Sequence, residues 1–348
     1  MSIAYELIGD GRPWVITPGG RFSKDSPGVR ELATALAERG NRVLIWDRPN
    51  CGASDVCFTG TSESAMQADV LAALLAHLDM APAVIAGGSG GSRVSLLTAA
   101  RHPEVAAGLA MWWISGGIYG LMILGVHYCE GSLTAAWNGG MEAVVKLPEW
   151  AEVLEGNPAN RKRFLDQDPA EFITTMERWM AAYCPRGDEL VPGLPDTDAR
   201  LLDVPALVFR SGASDFNHTR ATSEQLARLL PNARLVEPPW GDSEWNERSA
   251  ARPGGRGEGL FAGWRYVKGP GDRTENRDFI LNRIPHISKL MVGDIDAVLN
   301  HAQTVVIGNK DPDFNKVPGR LREGQFLVDF VRIIDGRSNN GNYDGICW

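Results

Sequence analysis

From residue 14 to residue 112 short apolar runs alternate with stretches of helical periodicity, and few architectures accommodate that alternation. Trp14-Val-Ile-Thr17 reads as a strand that delivers the chain to a tight loop at Pro18-Gly19-Gly20. Leu32, Ala33 and Leu36 share one face of a helix over 29–39, which Gly40 stops. A second strand spans 42–47 and runs into the turn Arg48-Pro49-Asn50-Cys51-Gly52-Ala53-Ser54. Met66, Val70, Leu74 and Leu78 recur at helical spacing behind the capping candidates Thr61 and Ser62, with Pro82 as a stop. A third strand over 83–86, a helix over 92–102 and a fourth strand over 106–112 follow. Parallel neighbours need a helix-sized crossover, so the pattern predicts an α/β fold whose parallel sheet carries helices on both faces.

Residues 117–200 break the beat. Trp137, Trp150, Phe164, Trp179 and Tyr183 sit among helical patterns punctuated by Pro148, Pro158 and Pro169, which marks an insertion. The alternation resumes with a strand over 205–209, a helix over 220–230 and a last strand over 234–237. Gly- and Pro-rich stretches at 252–259 and 268–272 place a domain boundary near 270. With 348 residues the chain suits two domains, or one large α/β domain with an appendage.

Composition narrows the function. A net charge of −8 gives no general attraction to nucleic acid or to an anionic membrane. Residues 105–126 carry no charge and are long enough to span a bilayer, but five glycines interrupt them and no basic cluster flanks their far end. A buried strand running into a Gly-rich turn and an apolar cap accounts for them better. The five cysteines are scattered and none forms a CxxC pair, so no metal site is expected. They read as reduced thiols of a cytoplasmic protein, and the acidic N-terminus does not read as a secretory signal.

Gly87-Gly88-Ser89-Gly90-Gly91 falls directly after a predicted strand and directly before a predicted helix. Gly-x-Ser-x-Gly in that context is a nucleophile elbow, in which a strained serine presents its hydroxyl at the carboxyl edge of a sheet. The flanking glycines are needed because a Cβ there would strike the neighbouring strand or helix. The helix N-terminus behind the serine offers unpaired N–H groups to a developing oxyanion. A phosphate-binding turn is the competing reading, but neither Gly-x-x-x-x-Gly-Lys-Ser/Thr nor Gly-x-Gly-x-x-Gly is matched.

On these residues the first 265 or so positions resemble the α/β-hydrolase family. Pro18-Gly19-Gly20 looks like its oxyanion loop, residues 47–54 look like its Asp-Arg-x-Gly-x-Gly-x-Ser turn, and Ser89 falls at its nucleophile position. The resemblance implies a hydrolase domain over 1–268 with a lid over 117–200, Asp215 as the supporting acid, and backbone donors at Gly20 and Gly90. It implies no cofactor. The family places its histidine after the last strand, where this chain has Asp242. Three groups could replace it: His218, three residues beyond Asp215; His127 at the start of the lid; or Asp242 or Glu244 beside Trp240 and Trp245. His218 is the preferred base. In a bland alternative it caps the following helix or bonds to a loop carbonyl.

Residues 276–348 resemble the end of nucleotide-sugar dehydrogenases, GDP-mannose 6-dehydrogenase in particular. The matching runs are Arg277-Asp-Phe-Ile-Leu-Asn-Arg-Ile-Pro-His286, Ser288-Lys-Leu-Met-Val-Gly-Asp294, Thr304-Val-Val-Ile-Gly-Asn309, Gly324-Gln-Phe-Leu-Val-Asp-Phe-Val331 and Gly345-Ile-Cys-Trp348. That family also needs a Gly-x-Gly-x-x-Gly fold and a catalytic cysteine, and residues 1–270 show neither pattern. The segment, 271–348, therefore reads as a fragment with about three strands. So small a piece buries little apolar surface alone, so it either docks on the hydrolase domain or oligomerises. The expectation is a serine-dependent hydrolase acting on an ester or a C–C bond. The lid aromatics suggest a small apolar or aromatic substrate. The alternatives are a binding protein that has lost its base, and a dehydrogenase remnant.

Overall fold

Parallel strands are covered on both faces, and the apolar runs here are buried accordingly: Val15, Ile16, Val43, Leu44, Ile45, Trp46 and Ile85 are all at most 1% exposed. The computed structural model describes residues 1–212, 217–239, 295–301, 304–307, 312–329, 331, 333 and 343–345. The chain divides into two units, Met1–Ala251 and Arg252–Trp348. The boundary expected near 270 lies outside the described residues.

In the first unit β1 (Tyr5–Ile8), β2 (Arg12–Thr17), α1 (Val29–Ala37), β3 (Asn41–Trp46), α2 (Glu63–His77), β4 (Ala83–Gly88), α3 (Gly90–Arg101) and β5 (Ala106–Trp112) follow in order. After the insertion come β6 (Ala206–Phe209), α9 (Arg220–Leu229) and β7 (Ala233–Val236). Together they form a seven-stranded sheet of order β1-β3-β2-β4-β5-β6-β7, parallel except for β1 against β3. The fold is of the α/β-hydrolase type expected. Alternate residues point to opposite faces. Val15, Leu44, Trp46 and Ile85 pack against Leu71, Leu75, Val94 and Leu97 of α2 and α3. Ile16, Val43 and Ile45 pack against Ala33, Leu36 and Ala37 of α1.

Local chemistry sets the helix ends. Ser62 caps α2, its Oγ accepting from the Ala65 N–H at 3.0 Å, so of the two capping candidates it is the one used. The insertion supplies α4 (Ile118–Val144), α5 (Ala151–Gly156), α6 (Ala159–Leu165), α7 (Pro169–Ala181) and α8 (Asp196–Ala199). Helix α4 breaks at Gly139 and Gly140, the latter at φ 63° and ψ −163°. Trp150, Phe164, Phe172 and Trp179 are at most 1% exposed and surround Phe58, so these aromatics are the insertion's own core. Trp137, by contrast, is 72% exposed. Among the described residues no helix is long and apolar enough to cross a membrane.

The second unit contains a helix over Ile295–His301 and a parallel three-stranded sheet of order β10-β9-β8, from β8 (Thr304–Ile307), β9 (Phe326–Asp329) and β10 (Tyr343–Gly345). Its buried residues include Leu299, Val305, Ile307, Val317, Leu327, Ile333 and Tyr343. Asp329 is fully buried, and its carboxylate accepts from Val331 N, Ile333 N and the Tyr343 hydroxyl at 2.8–3.0 Å. A buried carboxylate is tolerable only with donors of this kind.

Candidate active site

Sheet order reverses between β2 and β4, because the chain passes to β3 on one side and then returns to the other. Open α/β sheets place ligands outside the carboxyl ends of the strands at such a switch point. Here the chain runs from β2 into Gly19-Gly20, from β3 through Asp47 into Arg48, and from β4 into Ser89.

Ser89 has φ 55° and ψ −124°, a strained backbone for any residue with a side chain. The glycines around it are obligatory for the reason anticipated. A Cβ on Gly87 would lie 2.5 Å from the Gly91 carbonyl, and one on Gly91 would lie 2.0 Å from the Thr17 oxygen. Ser89 thereby caps α3, and its own N–H donates to Trp112 O at 3.2 Å.

The Ser89 Oγ lies 2.8 Å from Nε2 of His218, which is 2% exposed. The chain holds this histidine from both sides. Gly116 N donates to Asn217 O at 3.1 Å, and Gly116 and His218 form a parallel bridge between the end of β5 and the loop after β6. On the other side Thr219, not His218, caps α9, which removes the bland capping role. His127 is exposed on α4, in edge contact with Tyr128, and does not line the cleft at Ser89. Asp215, Asp242 and Glu244 lie outside the described residues.

Gly90 and Gly20 converge beside the serine. The Gly20 nitrogen lies 3.3 Å from the position a Cβ on Gly90 would take. Neither N–H donates to a protein acceptor among the described residues. An unspent N–H at the start of α3 and a second one on the neighbouring β2 loop are suited to an oxyanion. Arg48, 2% exposed, fixes this loop, donating through Nη2 to Gly19 O at 3.2 Å and to Gly20 O, and through Nη1 to Gln67 Oε1 at 3.3 Å. Sequence reasoning placed Arg48 only in a turn motif. An arginine directly after a buried strand was the available signal.

The cleft beside Ser89 is narrow and is lined chiefly by residues with polar side chains, among them Arg21, Glu63, Arg93, Tyr128 and Tyr183. Burial works against the charge of Arg21, but Glu63, together with Cys129, Tyr183 and Cys51, holds its pKa above the ordinary value. Burial pulls Arg93 below its ordinary value and pushes the Tyr128 and Tyr183 hydroxyls up. No group of metal-binding side chains occurs among the described residues.

The fold is of the α/β-hydrolase type. Residues 13–111 match the family model for the alpha/beta hydrolase fold. A Mycobacterium phage D29 protein with the provisional name non-heme haloperoxidase is 33% identical over 146 residues, 42% of this chain and 51% of that protein. Solved structures of similar fold include an enol-lactonase from Burkholderia xenovorans LB400, with 24% identity, coverage of 72% of this chain and 92% of that one, and a TM-score of 0.45. GDP-mannose 6-dehydrogenase of Pseudomonas savastanoi pv. phaseolicola is 35% identical over 74 residues, 21% of this chain. That of Azotobacter vinelandii is 38% identical over 77 residues, 22% of this chain. This chain spans about 17% of the length of these dehydrogenases. Both resemblances drawn from the sequence therefore stand, the second over a short segment.

Proposed function

We propose that the first unit is a serine-dependent hydrolase that transfers an acyl group to water. The observation that carries this reading is the 2.8 Å contact between Ser89 Oγ and His218 Nε2 at a strained elbow. His218 Nε2 takes the hydroxyl proton as Oγ bonds to the acyl carbon, which requires the neutral ring to hold its proton on Nδ1. The carbonyl oxygen becomes an oxyanion facing the Gly20 and Gly90 N–H groups. His218 then returns the proton to the departing alcohol, and the ester bond breaks. Water, deprotonated by the same nitrogen, attacks the acyl-serine and releases the acid. The family resemblance makes Asp215 the supporting acid, and that residue lies outside the described residues.

A fluorophosphonate probe tests the proposal. Wild-type protein is expected to be labelled at Ser89 and Ser89→Ala protein is not. Absence of label on both would favour a binding protein that keeps the pocket without the chemistry.

A further inference from the structure

The lid aromatics suggest an apolar substrate, but the side chains that line the cleft have a different character. Among the described residues its charged groups are Arg21, Arg48, Arg93 and Glu63, three cations to one anion. Glu63 is committed to Arg21, 3.5 Å from its Nε, and accepts from Asn50 Nδ2 at 2.9 Å. Arg48 and Arg93, 2% and 3% exposed, form no ion pair within 4.0 Å among the described residues, although Glu189 and Glu63 act on the charge of Arg93 from farther off. Arg48 Nε is buried and has no acceptor among the described residues. Arg93 donates through Nε to Pro192 O at 3.1 Å and through Nη2 to Ala182 O at 2.8 Å, and neither bond uses Nη1.

Carbonyl dipoles satisfy hydrogen bonds but do not neutralise a charge, and a buried guanidinium without a counter-ion is costly. Its planar fork matches a carboxylate, and with little water present the attraction is only weakly screened. Leu124 is the aliphatic side chain on this wall, beside the rings of Tyr128 and Tyr183.

We infer that the Ser89 cleft binds a small carboxylate, so that the ester it hydrolyses carries a carboxylate on its acyl part. This rests on the serine-hydrolase reading for the word substrate, whereas carboxylate binding stands on the arginines alone. Arg93 holds the anion, Arg21 stays paired with Glu63, and Arg48 keeps the oxyanion loop in place.

The test uses the full chain with glutarate and its uncharged counterpart glutaramide as probes. Calorimetry is expected to give glutarate at least tenfold the affinity of glutaramide, and glutarate alone is expected to slow fluorophosphonate labelling of Ser89. Equal affinities, or labelling unaffected by saturating glutarate, would overturn the inference while leaving the serine chemistry intact. Tight glutarate binding to a protein that resists the fluorophosphonate would support the carboxylate site and remove the hydrolase reading. Arg93→Gln, checked for folding by circular dichroism, is expected to weaken glutarate at least tenfold. Unchanged affinity in a folded variant would overturn the placement. If that variant does not fold, the glutarate and glutaramide contrast in the wild type still decides.

Discussion

At the scale of single residues, the decisive question was which group accepts the proton of Ser89. His218→Ala is expected to lower the turnover of p-nitrophenyl acetate by about 10⁴-fold or more with little change in KM, because a hydroxyl without its base is a poor nucleophile. Steady-state kinetics checks this, and a loss below tenfold would mean that the 2.8 Å contact does not serve catalysis. The serine was legible from five consecutive residues, because only glycine fits at Gly87 and Gly91. The histidine was only narrowed to candidates, because its reach depends on a bridge to Gly116, about a hundred residues away, that local pattern does not encode. The arginine surplus was not legible at all, since Arg21, Arg48 and Arg93 meet only after the β2 loop, the β3 turn and α3 have folded.

Among the elements, strand runs with continuous apolar character were easy to read, and β5 runs over the residues expected for it. β1 escaped notice. Tyr5–Ile8 is an edge strand with no buried residue, so it lacks the apolar signature and is fixed by antiparallel pairing to β3. The insertion was legible as a break in rhythm, yet of the aromatics that suggested a ligand pocket Trp150, Phe164 and Trp179 form a core, and Tyr183 lines the cleft. Trp150 is fully buried, lies against Phe58 and Phe164, and donates from Nε1 to Ser132 Oγ at 2.9 Å. Trp150→Ala is expected to cost about 3–5 kcal/mol, read from the urea midpoint. A cost below about 1 kcal/mol would contradict tight packing there. A Cβ on Gly91 meets backbone and not a yielding side chain, so Gly91→Ala is expected to cost about 3 kcal/mol or more by the same measurement.

For the whole molecule, the chain joins two units with different affinities of sequence. The match to GDP-mannose 6-dehydrogenase covers 74 residues, about 17% of that enzyme, and a fragment of a fold does not bring its function with it. GDP-mannose is therefore expected to leave the thermal unfolding midpoint of the full chain unchanged. Binding to the native state alone at a hundred times Kd would stabilise it by about 2.7 kcal/mol, which such a scan would register. A clear rise would give the second unit a sugar-nucleotide site.

The position of His218 has an evolutionary corollary. In the proposed scheme the nucleophile, the proton acceptor and both amide donors are all encoded between residues 20 and 218, ahead of the last strand of the large sheet. Everything encoded later is thus relieved of furnishing an imidazole. Under that scheme a change of sequence beyond β7, such as the dehydrogenase-like ending, would leave the serine and its proposed base in place.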